Sequence, residues 1–361
     1  MKPRNIIPFY EGVTLPPSHA EHILQRNGRL AASLAEAQGF SHDNPVSHLD
    51  PYHFLPTPIT QEQGEKHGMK SADDFYGAMV DYLQHADKGQ LHEVVPDAEN
   101  IPAHYSAEFA RAVREVVLPG YTAYSQEDAI KAYLKLKKEL SDKEKIRLKD
   151  PSASDCDRQF VLESEAHLRA ILDRIFHPFP FENGLVLEQN LNDVSTITGG
   201  KVRVNGSTYQ FIGNQVETSI PSPKGGRKTV YGGGDLLVTN SYISQDMLTP
   251  SQQELTLRLG RTYDAYSTLA PHVSRISFDM VSGHDSHGNE VHGITDPTMR
   301  VGGNDPSVIE SMHHLNDSNR IVKAQTRLVY TSTKKPLPFN GTLYLDMADI
   351  KIVTRVIEVV E

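Results

Sequence analysis

Tryptophan is absent from this 361-residue chain, and cysteine occurs once, at Cys156. A lone thiol can form neither an intramolecular disulfide nor a thiolate metal cluster, which fits a reducing compartment, expected to be the cytoplasm. No apolar run reaches membrane length and no signal peptide is read, so no membrane partner is expected. Positive charge is in deficit: 36 Lys and Arg face 46 Asp and Glu, a net charge of −10. That balance argues against a nonspecific grip on nucleic acid. The densest basic stretch, Lys131–Lys149, interleaves acids and reads as a solvated helix. Repeats and low-complexity tracts are missing too. The 17 histidines are scattered. His313 and His314, adjacent on an expected helix, point about 100° apart and cannot share one ion.

What is present is an ordinary mixed α and β pattern, long enough for two or three domains and a substantial core. A short strand, Ile6–Tyr10, precedes a helix over His19–Gln38 that Gly39 ends. His42–Pro58 reads as irregular, Thr60–Gly68 and Ala72–Gln84 as helices, and Gln90–Pro102 as loop or edge strand. A Ser cap opens a helix at Ser106–Val116. Leu118-Pro119-Gly120-Tyr121 begins a new unit: a capped helix Gln126–Leu140, a strand Lys145–Lys149, the turn-rich DPSASDCDRQ, a strand Phe160–Glu163 and a capped helix Ser164–Ile175. Gly184–Glu188 is an apolar run emerging into the polar Gln189-Asn190-Leu191, as a hinge between lobes would. Strands then dominate: Val194–Thr198, Lys201–Val204 and Thr208–Gly213, the last two joined by an Asn205-Gly206 turn, then Val230–Leu237. The triplet Gly232-Gly233-Gly234 marks a turn, a bulge or a close approach. Helices follow at Pro250–Thr268 and Ser307–Leu315, with a strand Val322–Tyr330 and strand or helix over Leu343–Val360.

The stretch richest in chemistry is Arg275–Gly303. Ile276, Phe278 and Met280 alternate with Ser277, Asp279 and Val281, a Gly-, His-, Asp- and Asn-rich turn follows, and the chain returns through Glu290–Thr295 to Asp296. Folding about His287-Gly288 makes a hairpin with Asp279 and Asp296 at the end away from the turn. Cross-strand neighbours on one face lie roughly 5–8 Å apart, so both carboxylates could serve one cation, although a one-residue slip would part them. Thr298 and Arg300 continue the same face at a period of two. Mg²⁺ takes a few carboxylates and completes its shell with water and phosphate oxygens, and Arg suits a phosphate or carboxylate. The same pattern also describes a solvated hairpin with charged edges. Lys149, at the mouth of the turn-rich loop, could supply a point charge to a phosphate.

Taken together, HADKGQ, VLPGYTAYS, IRLKDP, GLVLEQNL, YGGGDLLV and FDMV…ITDPTMRVGG resemble the ATP-grasp superfamily in order and spacing. Over Tyr52–Met312 the chain is similar to a bacterial family of ATP-grasp-like proteins sometimes labelled biotin-carboxylase-like. The resemblance implies an α+β fold in which two lobes clasp ATP. It divides the chain into an N-terminal α/β domain preceding the ATP-grasp lobes (1–118), a small lobe (119–187) and a large lobe carrying the hairpin (188–361). Lys88, Lys149, Glu188 and Leu191 would bind the nucleotide: Lys149 on the α/β-phosphates, Lys88 as the first nucleotide lysine, Glu188 at the adenine end. Asp279, Asp296 and Thr298 would hold Mg²⁺, with Arg300 and Lys149 acting on the transferred phosphoryl group or the substrate.

Three features depart from the superfamily's pattern. The loop after Lys149, SASDCDRQ, lacks glycine and carries two Asp, so side chains stand where backbone N–H groups usually approach phosphate. The acid at 296 is the shorter Asp, and Thr298 stands where Asn is common. The implied activity is an ATP- and Mg²⁺-dependent ligase that activates a carboxylate as an acyl phosphate for attack by an amine or other nucleophile. The alternatives are a degenerate scaffold that binds nucleotide or a partner without turnover, and a phosphotransferase on the same fold. Small-molecule partners are expected, and a homodimer is allowed.

Overall fold

The computed structural model describes residues 3–10, 20–42, 46, 48–153, 158–222, 225–315, 320–330, 332 and 335–360. The first stretch carries β1 (Asn5–Pro8), α1 (Ala20–Gln38), β2 (Pro51–Phe54), β3 (Ile59–Thr60), α2 (Gln61–Lys66), β4 (Phe75–Tyr76), β5 (Ala78–Val80) and α3 (Ala107–Val113). The next carries β6 (Gly120–Ala123), α4 (Gln126–Glu139), β7 (Ile146–Lys149), β8 (Gln159–Leu162), α5 (Glu165–Ile175) and β9 (Leu185–Gln189). The third carries β10 (Asn192–Val204), β11 (Ser207–Pro221), β12 (Arg227–Thr239), α6 (Pro250–Leu269), β13 (His272–Val273), β14 (Arg275–His284), β15 (Glu290–Thr298), α7 (Asp305–Leu315), β16 (Ile321–Tyr330), β17 (Thr342–Asp346) and β18 (Ile350–Val360).

Two sheets frame the molecule. The larger is antiparallel in the order β15-β14-β10-β11-β12-β16-β18-β17. Alternation along its strands feeds two cores. Val202, Val204, Phe211 and Leu236 meet α1 and α7 on one face, while Ile197, Ile212, Ile276 and Phe278 meet α3 and α6 on the other. The smaller sheet, β6-β9-β7-β8, is also antiparallel and packs on α4 and α5 through Ala132, Leu136, Leu168 and Leu172. Two three-stranded sheets, β1-β2-β4 and β13-β5-β3, complete the N-terminal side. Among the described residues no helix is long and apolar enough to cross a membrane.

Capping residues set most helix starts. Thr60, Ser106, Ser125, Ser164 and Thr249 each accept a hydrogen bond from a first-turn N–H. Gly39 ends α1 at φ +65°. His19, the expected first residue of that helix, lies outside the described residues.

Three expectations need correction. Ala72–Gln84 is not a helix: β4 and β5 flank Gly77, and a short 3₁₀ turn, Leu83–Ala86, follows. Phe75, Tyr76, Ala78, Met79 and Val80 are all buried, so this run has no solvent stripe, and Gly77 at φ +139° turns the chain between strands. His42–Pro58 holds β2, which pairs in parallel with β1 and β4; its Pro and His content hid the central strand of a three-stranded sheet. Val194–Thr198 and Lys201–Val204 are one strand, because Gly199-Gly200 serves close packing rather than a turn. A Cβ on Gly200 would lie 2.5 Å from the Phe211 ring and 2.6 Å from the Ile276 carbonyl oxygen. The segment after Pro119 is strand β6, which pairs with β9. The Asn205-Gly206 turn forms as expected, both residues having positive φ, and Leu343–Val360 resolves into strands.

Candidate active site

The strand pair β14–β15 sets Asp279 directly opposite Asp296, with a register shift at the next pair, Met280 opposite Ile294. The bulge accommodates Thr295 and keeps both carboxylates on one face. Ile276, Phe278 and Met280 point into the α6 core, so Asp279 points the other way, into a cavity of about 500 Å³ between the two large sheets. Asp296, Thr298 and Arg300 line the same cavity.

The opposite wall comes from the smaller sheet. Arg147 is directly opposite Glu188 across β7–β9, and Lys149 is diagonal to it, being paired with Val186. All three side chains therefore share one face, and all line the cavity. Lys149 forms an ion pair with Glu188 Oε1, and His92 Nε2 lies 3.4 Å from Glu188 Oε2. Burial would raise the Glu188 carboxyl, but Lys149 and His92 outweigh it and hold it at about 2. Leu191 follows at the hinge and lines the cavity as well.

Lys88 joins the two walls. Asp87 caps the 3₁₀ turn Lys88–Gln90 by accepting from the Gly89 N–H at 2.8 Å, and Thr122 in β6 donates to the Gly89 carbonyl at 2.9 Å. Lys88 is thereby held 4% exposed, with its ammonium 3.1 Å from Asp296 Oδ2 and 3.2 Å from the Ala153 carbonyl oxygen. All eight residues singled out from the sequence, Lys88, Lys149, Glu188, Leu191, Asp279, Asp296, Thr298 and Arg300, line one cavity.

The acidic pair is electrostatically uneven. Burial, then the Asp296 charge, push Asp279 up to about 6, against hydrogen bonds from Gln215 and Thr198. Asp296 shares its charge with Lys88. Among the described residues no three His, Cys, Asp or Glu side chains cluster to hold a metal. Two carboxylates still fit Mg²⁺, which takes one or two from the protein and the rest of its shell from phosphate and water. Burial is the larger cause of the raised Asp279 carboxyl and the Asp296 charge the second, and a bound cation would offset both.

Sequence reasoning missed several cavity residues. Arg147 follows from the period of two that links it to Lys149; it donates to Asn190 Oδ1 at 2.7 and 3.1 Å and to Gln159 Oε1 at 3.3 Å. Gln215, Tyr231 and Asn304 carried no local signal. Tyr231 donates to Asn304 Oδ1 at 3.0 Å, and Asn304 donates to Thr198 at 3.1 Å, beside Asp279. The glycines around them are steric. Gly232 is the unpaired residue of a bulge in β12, and a Cβ on Gly303 would lie 2.2 Å from the Tyr231 ring. Below, Arg275 grips Asp305 with two hydrogen bonds of 3.0 and 2.9 Å and donates to the Thr298 carbonyl at 2.6 Å, fixing the chain that presents Thr298 and Arg300. Of the loop after Lys149, residues 154–157, with Cys156 and both expected loop acids, lie outside the described residues.

A family model described as "Protein of unknown function (DUF3182)" matches residues 12–353. No curated protein matches the sequence. Among solved structures, the chain is similar to the biotin carboxylase domain of the Hydrogenobacter thermophilus 2-oxoglutarate carboxylase, in complex with MgADP, ADP and bicarbonate. Identity is 10%, coverage 99% of this chain and 86% of that one, and the TM-score 0.55. It is also similar to D-alanyl-alanine synthetase A of Vibrio cholerae, at 12% identity, 88% and 95% coverage and TM-score 0.50. Carboxyaminoimidazole ribonucleotide synthase of Aspergillus clavatus, complexed with ATP, gives 8%, 98% and 94%, and 0.50. At such identities the likeness establishes fold, and the fold is ATP-grasp.

Proposed function

The chain belongs to the DUF3182 family, and from its ATP-grasp fold and cavity we propose an ATP- and Mg²⁺-dependent ligase that activates a carboxylate as an acyl phosphate. The observation that carries the reading is the convergence on one cavity of a cationic wall, Arg147 and Lys149, and an acidic wall, Asp279 and Asp296, bridged by Lys88. On this reading residues 1–118 precede the ATP-grasp lobes, 119–187 are the small lobe and 188–361 the large lobe. The four strands of the smaller sheet fall within 120–189 and the eight of the larger within 192–360, so the sheets favour a boundary after β9, near residue 190, instead of inside that strand at 187/188.

Glu188 and Leu191 take the adenine end, Lys149 the α/β-phosphates and Lys88 the phosphate chain beyond. Asp279 and Asp296, with Thr298, would hold Mg²⁺, which when bound would supply positive charge against the phosphates. Arg300, exposed and without a hydrogen-bond or ion-pair partner among the described residues, receives the substrate carboxylate. One carboxylate oxygen attacks the γ-phosphorus, the bond from that phosphorus to the β,γ-bridging oxygen breaks, and ADP leaves. The amine or other nucleophile then attacks the acyl carbon, loses its proton, and phosphate departs with the C–O bond. The protein's contribution is positioning and charge neutralisation, with no side-chain nucleophile.

Release of ADP and phosphate against pools of carboxylates and amines, with products read by mass spectrometry, tests the reading. Carboxylate-dependent release is expected. Magnesium-dependent ATP binding without release from any pool would instead select the scaffold, a reading favoured by the glycine-free loop whose Ala153 carbonyl is tied to Lys88.

A further inference from the structure

Beside the nucleotide cavity lies a second chamber of about 340 Å³, which shares Lys88, Ala153, Asp296, Thr298 and Arg300 with it. That volume is at the low end of the roughly 300–1,000 Å³ of ligand pockets, so it suits one small molecule. Its uncharged lining is mixed: Pro58, Leu83 and Ala86 present apolar surface, and Thr57, Gln63 and Ser152 polar surface. Four charges line it, and two cancel, since Lys88 pairs with Asp296 at 3.1 Å. Arg300, at the junction of the two cavities, has no partner among the described residues. Asp87, partly buried and lining this chamber but not the larger cavity, accepts one hydrogen bond at Oδ1 from the Gly89 N–H and has no ion-pair partner among the described residues.

An enclosed carboxylate without a counter-charge is costly, and a ligand that brings a cation removes the cost. Burial pushes Asp87 up to about 7; the Gly89 N–H and Lys88 oppose it, while Asp296 and Asp150 add to it. The open charges of the chamber are thus the Arg300 guanidinium and the Asp87 carboxylate.

We propose that this chamber binds a free amino acid with an apolar side chain, its carboxylate on Arg300, its ammonium on Asp87 and its side chain against Pro58, Leu83 and Ala86. This rests on the ligase reading, because it makes the amino acid the carboxylate to be phosphorylated: only its carboxylate lies at the junction with the phosphate end. Asp87 would then be the group that selects an amino acid over a simple carboxylic acid.

The test uses the full chain without nucleotide and three ligand pairs: leucine and 4-methylpentanoate, methionine and 4-(methylthio)butanoate, phenylalanine and 3-phenylpropanoate. Calorimetric titration should give at least one amino acid binding tenfold or more tighter than its deamino partner. The Asp87→Asn variant, checked for an unchanged melting profile, should erase that preference. Should the variant misfold, the ligand pairs on the native chain decide alone. Equal binding within every pair, or no binding of any of the three amino acids, overturns the proposal. ADP release separates it from the ligase reading. Release stimulated equally by amino acids and deamino acids keeps the ligase and removes the amino-acid site. Selective amino-acid binding with no release does the reverse.

Discussion

At the scale of single residues, two ion pairs in the cavity compensate internally, Lys88 with Asp296 and Lys149 with Glu188, while Asp279 and Arg300 have no ion-pair partner among the described residues. The folded value of Asp279, about 6, lies above the ordinary 3.8. Between about pH 4 and 6 the folded protein therefore binds more protons than the unfolded chain, and stability falls as pH rises through that window. Above it, ionised Asp279 costs on the order of 2–3 kcal/mol in the metal-free protein. Asp279→Asn should recover much of that at pH 7, lose the pH dependence, and lose any stabilisation by Mg²⁺ with ATP. Melting temperature followed from pH 4 to 8, with and without the two ligands, checks all three. Asp296 behaves differently, since removing its charge strands the buried Lys88 ammonium. Lys149 and Glu188 form a closed pair, and breaking such a pair from one side costs about 3–5 kcal/mol. Lys149→Ala should show that loss in urea denaturation, and adding Glu188→Gln should return a large part of it. A single variant as stable as the parent would remove the pair from the fold's support.

At the scale of elements, the hairpin β14–β15 was legible because its apolar alternation is strict and its turn residues are few in kind. Its register was not, since the bulge at Thr295 depends on neighbours that a period of two cannot report. Lys149, Glu188 and the helix caps announced themselves through local chemistry. Strands β2, β4 and β5 did not: apart from Pro51 their residues are buried, and burial erases the polar face from which a period is read. Gln215 and Tyr231 reach the site from neighbouring strands and Asn304 from the turn before α7, so their meeting is a property of the tertiary fold. The Arg275–Asp305 contact predicts a consequence for the segment it fixes. Asp305→Ala leaves a wholly buried guanidinium without its carboxylate, and the loss should be about 3–5 kcal/mol. Amide exchange should then quicken from Met299 to Asn304, with α4 and α5 unaffected. Uniform quickening across the chain would make the contact a general stabiliser rather than a local pin.

At the scale of the whole molecule, the two large sheets meet through few polar contacts besides the cavity itself. Lys88 bridges Asp296 to the loop after β7, and the turn of the hairpin returns to the smaller sheet's unit, where the Ser286 N–H and hydroxyl donate to Glu144 Oε1 at 2.9 and 2.7 Å. A nucleotide seated between these walls would touch both, and a ligand that prefers the native state adds about 2.7 kcal/mol at a hundredfold excess over Kd. The central claim is that the acidic and basic walls together form a Mg²⁺–ATP site. It is tested most directly by calorimetric titration of the full chain with a non-hydrolysable ATP analogue, once with Mg²⁺ and once with a chelator. Binding that requires Mg²⁺ in the native chain, and that Asp279→Asn reduces at least tenfold, is the predicted result. Binding of equal strength with the chelator, or none at millimolar analogue in either condition, would contradict it.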